Sequence, residues 1–227
     1  GSLAGAGSVE LANGITLTAG GDESSTEFAG VISGSASFAK AGGGTAHFSG
    51  DNIYTGETNI NQGILQVSGT LSDYTAVTVA ENAIYKVDKT DEIGSIEGDG
   101  SIVIADDQIL TAGGLKTDTA VSGIISGGGG FTKIGDGITT FAGTNTYQGA
   151  TTIEDGFLSL TNFSGIPQGS STLVTGVGRL DLVSGPTGDG QFEIDRVTIK
   201  EGGRVLVSPS HPLVSKSITL DANPAQH

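Results

Sequence analysis

Cysteine, methionine and tryptophan are absent from this chain of 227 residues, and proline occurs five times. Without cysteine there is no disulfide, no thiolate metal site and no cysteine nucleophile. A chain without methionine reads as a piece of a longer product, with any export signal or membrane anchor lying outside it. No apolar run approaches the roughly 18 residues of a membrane span, and no signal peptide is recognisable, so no direct membrane insertion is expected. Basic residues are scarce, 10 Lys and Arg against 25 Asp and Glu, for a formal net charge of −15. Nucleic acid is excluded as a partner on that ground, because its affinity comes largely from cations that neutralise phosphates.

Glycine is abundant, at 39 residues, among many Ser, Thr, Val and Ile. β-Branched residues favour pleated surfaces and glycine serves the corners, so the composition predicts many short strands and little helix. Alternating stretches such as "GITLTAG", "ITTFAG" and "FLSLT" recur about every ten residues, each with one face toward a core.

Sliding the chain by 93 residues superimposes it on itself without a gap from residue 1 to about 69. "LTAGG" (17–21) recurs at 110–114, "GVISG" (30–34) returns as "GIISG" (123–127), and "FSGDNIYTGETNI" (48–60) as "FAGTNTYQGATTI" (141–153). This organisation predicts one solenoid over 1–227, with repeats 1–93 and 94–186 and a partial, divergent third repeat or cap at 187–227. Divided into about four rungs of roughly 23 residues, the period suits a parallel β-solenoid better than a propeller. About ten rungs, spaced about 4.8 Å, give a rod on the order of 50 Å. Ile32, Ile125, Leu65 and Leu158 are expected to stack inside.

The segments "GVISGSASFAKAGGGTAHFSGDNIYTGETNINQGILQV" and "GIISGGGGFTKIGDGITTFAGTNTYQGATTIEDGFLSL" resemble the autotransporter-associated β-strand repeat of bacterial type V secreted passengers. Phe38, Phe48, Phe131 and Phe141 stand where that pattern more often has Leu. The resemblance implies a right-handed parallel β-helix, displayed on or released from the surface of a Gram-negative bacterium, with an outer-membrane translocator barrel outside this segment. It implies no reaction: members of the family often act as adhesins.

Candidate chemistry is thin. His47 is replaced by Thr140 in the second copy, and no nucleophile motif surrounds it. Acidic residues cluster at Asp88, Asp91, Glu92, Glu97, Asp99, Asp106 and Asp107, which reads as turn and loop acids, with weak Ca²⁺ binding as the alternative. No other cofactor is expected. Lys40 and Lys133 read as outward, solubilising edge charges.

The sharpest repeated pattern is Asn52, Tyr54 and Thr58 with Asn145, Tyr147 and Thr151. Its bland reading is turn-shaping Asn and packed Tyr with a wet hydroxyl. Its functional reading is a polar ladder, both copies on one face about 19 Å apart, that contacts a repetitive ligand such as a surface glycan. The function expected is therefore a non-enzymatic adhesive or structural stalk that meets a host or environmental glycan or protein. The alternatives are a polysaccharide lyase or hydrolase with an acidic cleft near 88–107, and a self-association module for cell aggregation.

Overall fold

A computed structural model describes residues 1–182, 190–208 and 212–221. These contain 27 strands of two to five residues and no helix, and every pairing between strands is parallel. Paired residues lie 17 to 25 positions apart in the chain, as in Ile84 with Ser101 and Leu180 with Val205. A chain that meets itself in parallel at such intervals is a solenoid, and the longest sheet counts ten turns. The expected all-β solenoid is the observed fold.

Three faces surround one core. The first is the ten-stranded sheet from Thr16–Ala19 to Arg204–Val207. The second holds Thr26–Phe28, Thr45–Phe48, Ile64–Val67, Ile84–Val87, Ser101–Ile104 and Ile125–Ser126. The third holds seven strands from Asp91–Ile93 to Ser217–Asp221, and the pair Ser8–Leu11 and Val31–Gly34 occupies the same place in earlier turns. Alternation makes one side of each strand internal. Ile32, Leu65, Ile125 and Leu158 are wholly buried, as expected, and Phe38 packs on Phe48, and Phe131 on Phe141, with ring centroids 4.8 and 5.0 Å apart.

The turns lie so close at one corner that only glycine fits. A Cβ on Gly30 would come 1.8 Å from the Gly7 carbonyl oxygen, one on Gly50 2.0 Å from that of Gly30, and one on Gly69 2.1 Å from that of Gly50. Gly100, Gly123 and Gly143 form the matching column in the second copy. The constraint here is the approach of backbone to backbone.

The repeat is not a whole number of turns. Thr58 pairs on the first face with Val77, and four turns along that face lead to Thr139. Thr151, its equivalent 93 residues on, lies two faces further, on the third face. The second copy is therefore rotated by one face relative to the first, and the expected alignment of both copies on one face is incorrect. The turn is closer to 20 residues than to 23, so 93 residues make about four and two-thirds turns. The boundary expected between residues 186 and 187 falls outside the described residues.

Candidate functional site

All six residues of the repeated polar pattern are inside. Asn52, Tyr54, Thr58 and Thr151 are 0% exposed, Tyr147 1% and Asn145 3%. The outward ladder of side chains expected from Asn52, Tyr54, Thr58, Asn145, Tyr147 and Thr151 does not form, because each of these groups is engaged by the backbone or by its neighbours.

Asn52 Oδ1 accepts from the Ile32 amide of the preceding turn at 3.0 Å, and its Nδ2 donates to the Gly50 carbonyl at 2.9 Å and toward that of Thr70 in the next turn. Asn145 repeats this with the Ile125 amide at 2.8 Å and the Gly165 carbonyl at 2.7 Å. At both places the chain runs without a regular strand, and the side-chain amide supplies the ladder groups that a strand would supply. Tyr54 Oη meets Thr58 Oγ1 at 2.6 Å, and Tyr147 Oη meets Thr151 Oγ1 at 2.5 Å. Thr58 continues to Thr75, whose hydroxyl donates to the Gly56 carbonyl. Burial pushes both Tyr54 and Tyr147 well above the usual phenol range.

Lys40 and Lys133 are likewise buried, correcting their reading as edge charges. Residues two apart in a strand share a side, so Lys40 follows Phe38 inward and Lys133 follows Phe131. Lys40 Nζ donates to the carbonyls of Ala41, Gly42 and Gln62 at 2.7, 2.6 and 3.2 Å. Lys133 Nζ does the same with Ile134, Gly135 and Asp155 at 2.7, 2.6 and 3.4 Å. Each ammonium ties the corner of its own turn to that of the next. Burial lowers both, Lys133 to about 8.

The acidic stretch 88–107 does not converge. Asp88 pairs with Lys86 at 3.2 Å, while Asp91 turns inward and accepts from the Leu71 amide at 2.9 Å. Burial pushes Asp91 up to about 7, against the pull of the Leu71 and Glu92 amides. Near it, the Tyr85 hydroxyl is buried without a hydrogen-bond partner among the described residues. Among the described residues no three acidic or histidine side chains are grouped so as to hold a metal ion. His47 Nε2 lies 2.7 Å from Ser68 Oγ, but the Glu27 carboxylate in the adjoining strand accepts from Ser49, so the three members of a hydrolytic triad are not assembled.

One concavity on the rod was not foreseen. The connection 161–170 is ten residues long, against eight in its first-copy equivalent 68–75. In the first copy Asp51 and Thr70 form a bridge in this region, and Leu71 beside Thr70 is buried. In the second, the longer connection with Pro167 leaves a groove of about 860 Å³ walled by Thr146, Gln148, Phe163, Gln168, Gln191 and Glu193. The signal for it was the two-residue excess in "TNFSGIPQGS".

Residues 38–67 and 131–160 each match the passenger-associated-transport-repeat family model. The matched segments run from the inward Phe and Lys through the Asn and Tyr to the aliphatic Leu65–Val67 and Leu158–Leu160 strand ends, so they coincide with the braces just described. These two segments carry the passenger-associated-transport repeat. An adhesin autotransporter, BmaC of Brucella suis biovar 1 (strain 1330), is 34% identical over 176 residues, covering 65% of this chain. The chain spans 5% of that relative's length. No solved structure matches the chain.

Proposed function

We propose that the chain is a surface-displayed passenger segment of a Gram-negative bacterium, a stiff scaffold within an adhesin that carries contact surfaces away from the cell. The observation that carries this reading is the placement of the repeat's polar signature inside the rod. Side chains that brace successive turns make a long, single-cored solenoid rigid, and they leave the outer faces free to differ from turn to turn. The relative's description as an adhesin supports the same role. The outward row Thr111, Thr132 and Thr152, in register on the third face, is the kind of polar ladder through which such a rod meets a surface or another copy. A polysaccharide-cleaving role has less support, since glycoside hydrolysis ordinarily uses two converging carboxylates.

The test is an in-frame deletion of this segment from the whole passenger displayed on cells. Adhesion and the height of the surface layer are both expected to fall while display persists. Unchanged height and adhesion would contradict the scaffold. Release of reducing or unsaturated ends from a polysaccharide panel, with or without Ca²⁺, would favour the enzyme.

A further inference from the structure

The groove beside the second-copy brace is built from chemistry that the repeat does not need. Thr144, Thr146 and Gln148 alternate outward along one stretch of chain, and their neighbours Asn145 and Tyr147 point in. The next turn presents Ser164 and Gln168, and the one after it Gln191 and Glu193. Asn162 Nδ2 donates to Thr144 Oγ1 at 3.3 Å, Gln191 Nε2 to Glu193 Oε1 at 3.1 Å, and Gln168 Nε2 to Glu193 Oε2. Among the described residues the lining thus offers the outward amides of Gln148, Gln168 and Gln191, several hydroxyls and the Glu193 carboxylate, beside the Phe163 ring, which packs edge-on against Phe192 at 5.2 Å. Among the described residues no lysine or arginine lines it.

We propose that this groove binds a neutral glycan chain. The inference rests on the adhesive reading above and names a ligand class and a place for it. In array, amides donate to and accept from adjacent sugar hydroxyls while a carboxylate accepts from them, and an aromatic ring offers an apolar surface to a pyranose. In the main groove an anionic polymer finds no cation among the described lining residues and one like charge, Glu193. Along the Thr144–Gln148 wall a peptide strand finds no free edge, because the amides of Asn145, Thr146 and Gln148 already donate to Ser164, Ile125 and Gly127.

The groove has room for more than one sugar unit, at the upper end of the roughly 300–1,000 Å³ typical of ligand sites. It also continues: a second recess of about 220 Å³ shares Gln148 and Gly169 and reaches Ser171, Asp195 and Arg196. A cleft that runs on across turns suits a polymer better than a monosaccharide. With Glu193 the one carboxylate of the main groove among the described residues, and Asp195 engaged by Lys216 at 2.5 Å, the arrangement holds a glycan without the paired acids of a glycoside hydrolase.

Isothermal titration of the intact 227-residue protein with neutral gluco-, manno-, galacto- and xylo-hexaoses, alongside a hexauronate and a hexalysine peptide, tests the proposal. At least one neutral hexaose is expected to bind, with its affinity lowered tenfold or more in the Gln148→Ala/Gln168→Ala double variant. The Asn59→Ala variant, altered on the outside of the first face, is expected to bind as the parent does. Circular dichroism of each variant establishes that it is folded. Failure of all neutral hexaoses, tighter binding of the uronate or the peptide, or binding that survives the double substitution would overturn the groove assignment. The same double variant in the displayed passenger separates the two readings: loss of adhesion with unchanged layer height supports both, and unchanged adhesion leaves the scaffold and removes the groove.

Discussion

Asn52 and Asp91 do the same work two turns apart: each accepts a hydrogen bond from the backbone amide 20 residues earlier, Asn52 from Ile32 and Asp91 from Leu71. The geometry asks for an acceptor, and a neutral amide meets it without a buried charge. Asp91 meets it with a carboxyl whose charged form burial disfavours.

The sign of the resulting pH dependence follows. Asp91 titrates near 7 in the folded chain, well above its ordinary value near 4. The folded state therefore holds its proton through that interval, and stability is greatest below about pH 4, falls between about pH 4 and 7, and is level above. Asp91→Asn is expected to remove this slope and to stabilise the rod at pH 8 by on the order of 2 kcal/mol. Asn52→Asp is expected to introduce a similar slope. Urea midpoints from pH 4 to 8 check both, and an unchanged slope in Asp91→Asn would assign the effect elsewhere.

Lys133→Met keeps the aliphatic volume and removes the ammonium that serves three carbonyls. Those carbonyls are left at a tight corner without a donor, so a loss of about 3 kcal/mol is expected. Lys133→Arg is not expected to restore it, because a planar fork does not converge on three oxygens as an ammonium does. The same comparison at Lys40 should agree in direction. Chemical denaturation measures each.

Gly143→Ala places a methyl 1.8 Å from the Gly123 carbonyl oxygen, which no rotamer relieves. The turns must separate locally, at a cost of about 3 kcal/mol or more. Gly21→Ala, whose Cβ meets nothing within 4 Å, is the control and should change stability by less than about 1 kcal/mol. A similar fall in both would show that the column of glycines is not a packing constraint.

Much of the fold was legible. Recurrent alternation gave the strands, the 93-residue self-match gave the tandem repeat, and aliphatic pairs such as Leu65 and Leu158 gave the core. The polar signature was visible as a pattern but was placed on the wrong side. Asn52, Tyr54 and Thr58 are polar, and polar residues are exposed by default. Their partners, such as the Ile32 amide, sit one turn away, a relationship that needs the turn length rather than the repeat length. The spacing of Gly30, Gly50 and Gly69 contained that length, about 20 residues, and with it the one-face rotation between copies. Lys40 reads as outward from its charge alone, whereas parity places it inward, since two residues after an inward Phe38 is again inward. The groove was invisible in pattern terms because it arises from a local excess of two residues in a connection that carries no repeat signal.

The central claim is that the repeat's tyrosines belong to the interior, and acetylation with N-acetylimidazole followed by peptide mapping tests it most directly. Of the four tyrosines, Tyr74 is 68% exposed while Tyr54, Tyr85 and Tyr147 are at most 1% exposed. Modification of Tyr74 alone is expected in the folded protein, and of all four after unfolding in urea. Modification of Tyr54 or Tyr147 in the folded protein, at a rate near that of Tyr74, would contradict it.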